Sequence, residues 1–171
     1  MATHYIKAAV VMVAALMAIG MILPIKPTIV IHAQPIHCQL PDTFSLKWRH
    51  SVEKQYWQEV YQLHYPDLIL TKTYLQTFGA GTPNLGEPTR APDGYLGQLV
   101  NLPMDELNWL VSHKMQGEIV MGDAVEANTA IMPIHQMIEE RCVVNFRPEK
   151  LTVWQYITLP RCKAMTNGTN G

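Results

Sequence analysis

FSLKWRHSVEKQYWQEVYQLHYPDLILTKTYLQTFGAGTP, residues 44–83, carries a period of two through most of its length. Phe44, Leu46, Trp48, His50 and Val52 alternate with Ser45, Lys47, Arg49 and Ser51, the pattern of a strand with one buried face. On that reading His50 points inward with Trp48 and Val52. The alternation resumes after Lys54, with Trp57, Glu59, Tyr61 and Leu63 on one side. A carboxylate is thereby placed in register with aromatic and aliphatic neighbours, where it is costly unless paired. The expected partners of Glu59 are His50, Lys54 and Arg49. Tyr65-Pro66-Asp67 reads as a turn and Leu68 to Phe78 as a third run, closed by Gly79-Ala80-Gly81, where positive φ or a close backbone approach is expected.

The cluster His50-Ser51-Val52-Glu53-Lys54, the nearby Trp57 and Glu59, and Phe78-Gly79-Ala80-Gly81 followed by Pro83 together resemble the bacterial family called domain of unknown function 1850. The resemblance is close over about forty residues and looser over the layout of one helix followed by one domain. It implies a small protein encoded beside the fused membrane permease and solute-binding protein of a TAXI-type TRAP transporter, which imports small carboxylate-type solutes. It therefore implies an accessory or binding subunit with the permease as partner and the solute-binding protein as a second one. It carries over no catalytic residue. The candidate binding cluster is His50, Ser51, Glu53, Lys54, Trp57, Glu59, Phe78, Gly79 and Gly81.

The chain has 171 residues, room for one ordinary domain once its start is set aside. A formal net charge of -1, with Lys+Arg 13, excludes a nucleic-acid footprint. Charged residues are 16% against a usual figure of about 25%, largely because of a charge-free stretch near the start. Residues 8–25, AAVVMVAALMAIGMILPI, lie between Lys7 and Lys26. As a helix at about 1.5 Å per residue this segment reaches about 27 Å, the thickness of a hydrocarbon core. Its Val, Ile and Leu residues each favour insertion by roughly 0.3 to 0.6 kcal/mol. A secretory signal has a shorter apolar core, about 7 to 15 residues, and a small-x-small site that residues 24–33 lack. The expectation is an uncleaved single-pass anchor in a bacterial inner membrane, with the bilayer as a partner and the remainder exported to the periplasm. Lys7 and Lys26 nearly balance under the positive-inside rule, so the short amino-terminal tail is most simply left in the cytoplasm.

Residues 27–33 (PTIVIHA) and 38–40 (CQL) read as short strands, and residues 84–92 (NLGEPTRAP) as a surface loop. The apolar alternation of Leu107, Trp109 and Val111 reads as strand through His113, and residues 118–121 as a further short run. Pro133 argues against a central helix or strand over residues 131–140. Residues 141–146 and 151–159 read as a hairpin about the turn Arg147-Pro148-Glu149-Lys150. Seven to nine strands at this spacing point to a mainly β fold: one transmembrane helix followed by an all-β sandwich or barrel. The expected divisions are 1–26 anchor or signal peptide, 27–163 β-domain and 164–171 disordered tail. Cys38, Cys142 and Cys162 allow one disulfide in an exported domain, with three possible pairings and one thiol left over. Cys38 with Cys162 would tie the two ends of the domain together.

His50, Ser51 and Glu53 have the composition of a catalytic triad but not its geometry. On a strand Ser51 faces away from His50, and triads are assembled from distant segments. No enzyme is expected, and no cofactor. His50, Glu53 and Glu59 with His64 or His113 match no specific zinc spacing, and no Cys-x-x-Cys pair exists, so no metal is assigned. Residues 79–83 are not a phosphate loop, since no Lys-Ser/Thr and no helix start follows them. A backbone nest that binds a carboxylate is the sharper reading of the glycine pair. The alternative to a transporter subunit is therefore an exported β-module whose polar cluster binds a ligand or metal. Trp48, Trp57, Trp109 and Trp154 all fall on strand-like runs, with core filling as their plain role and a membrane-face position as the other.

Overall fold

A computed structural model of the chain describes residues 2–77, 86–123, 125 and 129–163. Helix α1, Ala2–Ile22, contains a stretch from His4 to Ile22 long and apolar enough to cross a membrane, and none of that stretch is buried by the rest of the protein. Strand β1, Pro24–Ala33, starts one residue after α1 ends. The chain continues through β2 (Ile36–Leu40), β3 (Thr43–Arg49), β4 (Tyr56–His64), β5 (Asp67–Leu75), β6 (Pro88–Thr89), β7 (Leu96–Met104) and β8 (Leu107–Val111). It then runs through β9 (Glu118–Met121), β10 (Ala130–Met132), β11 (Cys142–Thr152) and helix α2 (Val153–Thr158). Single 3-10 turns occupy His113–Met115 and Ile134–Gln136.

The strands form two antiparallel sheets packed as a sandwich, one of order β2-β1-β11-β8 and the other β10-β9-β3-β4-β5-β7-β6. The mainly β expectation holds, with more strands than the seven to nine anticipated. Phe44 of β3 ties the sheets together. Its ring stacks on Tyr61 of β4 at 5.3 Å and on Phe146 of β11 at 5.1 Å, at the centre of a core that includes Ile29, Ile31, Leu46, Leu68 and Val144. The larger sheet is buried on both faces, since Ser45, Val60, Tyr74 and Val120 on its other side are also shielded from solvent.

The hairpin expected over residues 141–159 does not form. Residues 142–152 are one continuous strand, paired with β1 along most of its length and with β8 only from Cys142 to Phe146. Past Phe146 its second edge is open, so Pro148 sits where a missing N–H costs no ladder bond. The chain turns into α2 because Thr152 caps it. The Thr152 hydroxyl accepts from the Gln155 N–H at 3.2 Å, and the Gln155 side chain accepts from the Thr152 N–H at 2.9 Å. Trp154 therefore lies on a helix and is exposed.

Of the three possible pairings, the disulfide is Cys38–Cys162, leaving Cys142 free. It clamps the segment after α2 to β2, where the Cys162 N–H also donates to the Gln39 carbonyl at 3.0 Å and the Gln39 N–H to the Pro160 carbonyl at 2.9 Å. The residues expected to form a disordered tail, 164–171, and the Phe78, Gly79 and Gly81 part of the candidate cluster lie outside the described residues.

Candidate functional site

Strand β3 stops at Arg49, so His50 does not continue its inward alternation, and Val52 is 79% exposed. Residues 50–55 instead connect β3 to β4. The His50 N–H donates to the Gln55 carbonyl at 2.8 Å and the Lys54 N–H to the His50 carbonyl at 3.0 Å. Lys54 closes the turn with a left-handed backbone, φ 59°. Its ammonium donates to the Ser51 carbonyl at 2.5 Å, and the Arg49 Nε donates to the Lys54 carbonyl at 3.1 Å. The Lys54 side chain, expected to face a ligand, and Arg49, expected to pair with Glu59, thus hold the turn instead.

His50 is fixed twice. Its Nδ1 accepts the Glu53 N–H at 3.3 Å, which leaves the proton of the neutral ring on Nε2. The ring also stacks on Trp57, centroids 4.5 Å apart at 12°. Trp57 leans on Trp48 at 6.2 Å, and Trp48 meets the edge of Trp109 in the other sheet at 6.1 Å. One imidazole and three indoles therefore run from the turn across both sheets. Two buried atoms at the head of this row, the Glu53 Oε2 and the Trp57 Nε1, have no hydrogen-bond partner among the described residues.

Glu59 does lie on the inner face with Trp57 and Tyr61, opposite Leu46 and Thr73. Its partner is none of the three basic residues expected. The Tyr61 hydroxyl donates to Glu59 Oε2 at 2.5 Å. Burial pushes the carboxyl above the ordinary glutamate range, partly offset by that bond. Burial, reinforced by the carboxylate, pushes the Tyr61 phenol above its usual range in turn. His50 and Glu59 do not bond, and His64 lies at the opposite end of β4 from the turn. Among the described residues no group of three or more His, Cys, Asp and Glu side chains could hold a metal ion.

A second constellation escaped the sequence reading. On the outer face of the larger sheet Asp123, buried, accepts from the Lys72 ammonium at 2.6 Å, the Tyr74 hydroxyl at 3.0 Å and the Val125 N–H at 3.2 Å. Burial opposes its charge, but these bonds outweigh burial and hold the carboxyl below the ordinary aspartate range. Beside it a cavity of about 200 Å³ is lined by Lys47, Gln58, Tyr95 and Val120, and the buried Gln58 Nε2 has no hydrogen-bond partner among the described residues. The Glu118 Oε2 is 3.4 Å from the Lys47 ammonium, in ion-pair reach without a hydrogen bond. The available signal was that Lys47, Gln58, Lys72 and Tyr74 share the face opposite the apolar one.

Residues 44–126 match the family model described as Domain of unknown function (DUF1850). Over this segment the chain is similar to that family. No curated protein and no solved structure matches it. The DUF1850 segment begins at Phe44 and contains the His50 turn, Trp57, Glu59 and Asp123, but neither α1 nor the disulfide.

Strand pairing fixes where the DUF1850 turn lies. Pro24, at the end of α1, is opposite Thr152, whereas Phe146 stacks on Phe44 and Val144 is opposite Trp109, which meets Trp48. Moving along β3 toward His50 is therefore moving away from the apolar helix. Asp42, just before β3, accepts from Lys26 beside that helix at 2.7 Å. With β3 rising about 3.3 Å per residue, the His50 turn stands roughly 20 Å farther out.

Proposed function

We propose that this protein is a membrane-anchored, non-catalytic accessory or binding subunit of a TAXI-type TRAP transporter for small carboxylate-type solutes. The sandwich lies in the periplasm and α1 in the inner membrane beside the permease. The observation that carries this reading is the polarity of the domain, with the family's signature turn at the end farthest from the apolar helix. A disulfide between the two ends of the domain supports an oxidising compartment. At that height the His50 turn suits a partner that docks from the aqueous side, the place this reading gives to the solute-binding protein. The test is purification of the tagged protein from membranes, with crosslinking from Ser51 and Val52. Recovery of permease or solute-binding protein through those positions supports the role. Recovery of the protein alone, with uptake unchanged in a deletion strain, removes it.

A second reading draws on Glu53 Oε2 and Trp57 Nε1, an acceptor and a donor buried at the head of the aromatic row and unpartnered among the described residues. An acceptor beside a donor suits a small polar ligand at the turn, as in an exported binding module unrelated to permease assembly. Thermal shifts across small carboxylates and divalent metals discriminate the two, and a flat response to all of them eliminates the second.

A further inference from the structure

We propose that α2 is a second membrane contact, a short helix lying in the headgroup layer beside the emerging span, an inference that rests on the anchor reading of α1. The Val153 N–H, at the start of α2, donates to the Leu23 carbonyl at 3.2 Å, so α2 begins one hydrogen bond from the end of α1. Trp154 and Ile157, three residues apart and hence on one face, are 59% and 67% exposed. Leu23 and Ile25, on the connection out of α1, are exposed as well.

The occupant of this face is the phospholipid surface, because the face is continuous with the apolar helix that enters it. The surrounding groups fit that depth. Lys26 and Arg161 line a cavity of about 390 Å³ with Tyr156 of α2. Tyr65, exposed on the β4–β5 turn at the same end of the sandwich, carries the Lys150 ammonium 4.7 Å over its ring. Indole and phenol rings with an apolar body and a polar edge, flanked by cations, suit the boundary between acyl chains and phosphates. Two attachments, a span and a surface helix tied to β2 by the disulfide, would hold the sandwich upright with its signature turn outward.

The test uses the full-length protein in phosphatidylcholine nanodiscs with the lipid brominated high on the acyl chain, against discs of unlabelled lipid. Trp48, Trp57 and Trp109 sit toward the far end of the sandwich, so bromine within contact range reports on Trp154. Tryptophan emission is expected to be quenched, the Trp154→Phe variant to lose more than half of that quenching, and Trp109→Phe to keep it. Ile157→Glu is expected to reduce quenching and move the emission to the red while the thermal transition of the domain is unchanged. Entry into discs without quenching of the wild type, or quenching that survives Trp154→Phe, overturns the proposal and gives the face to a protein partner. Failure of the protein to enter discs removes the anchor reading, and this inference with it.

Discussion

Glu59 is a half-buried carboxylate on the inner face of the larger sheet, bonded to the Tyr61 hydroxyl, and its titration should show in stability. Its folded pKa is raised, so between the ordinary glutamate value and the raised one the native state holds more protons than the unfolded state. Stability therefore falls as pH rises through that window and stays lower above it. Glu59→Gln keeps an acceptor for the Tyr61 hydroxyl and removes the charge. The variant is expected to be more stable than the wild type at pH 7 by on the order of 1 kcal/mol, a gain that vanishes in acid, read from urea midpoints across pH. Asp123 has the opposite sign. Its lowered pKa gives stability that is present above the unfolded value and lost as acid reaches the folded one, and Asp123→Ala strands a part-buried ammonium, for an expected loss of about 3 kcal/mol by chemical denaturation at neutral pH. Residue identities made the inward position of Glu59 legible, because alternation is enough to assign a face. They did not reveal its partner or that of Asp123. Lys72 and Asp123 are far apart in sequence, and only strand order brings β5 and the end of β9 onto one surface.

The same limit governs whole elements. Strands β3 to β5 were readable from local alternation and the turn residues between them, and α1 from its length and lack of charge. The segment from Arg141 to Leu159 was not, since its apolar spacing fits a hairpin as well as a strand running into a helix. Thr152-Val153-Trp154-Gln155 does spell a capping box, but β-branched and aromatic residues around it favour the extended reading. The His50 turn was misjudged for a related reason. Alternation carries no mark of where a strand stops, and Lys54 supplies the left-handed position that glycine or asparagine usually signals. Contacts between elements also set tolerances that sequence spacing does not show. Gly117, between a 3-10 turn and β9, faces Trp109 of β8 so closely that an added Cβ would lie 2.8 Å from the indole. Gly117→Ala is expected to displace the Trp109 ring, which meets Trp48, at a cost of about 1–3 kcal/mol and with a changed near-ultraviolet dichroism of the coupled indoles. An unchanged dichroism would show that Trp109 has room to move without disturbing the row.

For the molecule as a whole the decisive link is the one between its ends. Cys38 and Cys162 are 124 positions apart, and the loop they close contains all of residues 44–126. Removing the crosslink frees the unfolded chain, by a polymer estimate of about 4–5 kcal/mol for a loop of this size. The backbone bonds between Gln39 and residues 160–162 remain, as do those from the Gln39 amide to the Tyr156 carbonyl at 3.1 Å and the Leu159 carbonyl at 2.7 Å. They act only in the folded state and leave the entropy of the unfolded chain untouched, so they do not compensate. Against a total stability of about 5–15 kcal/mol the loss is large. Cys38→Ser with Cys162→Ser is expected to lower the thermal midpoint substantially, and reductant to bring the wild type down to the same value while leaving the double variant unmoved. Cys142→Ser, which removes only the free thiol, is the control that should behave as wild type. If reductant leaves the wild-type midpoint unchanged, the two ends are held by packing alone, and the inference from this disulfide to an oxidising compartment falls with it.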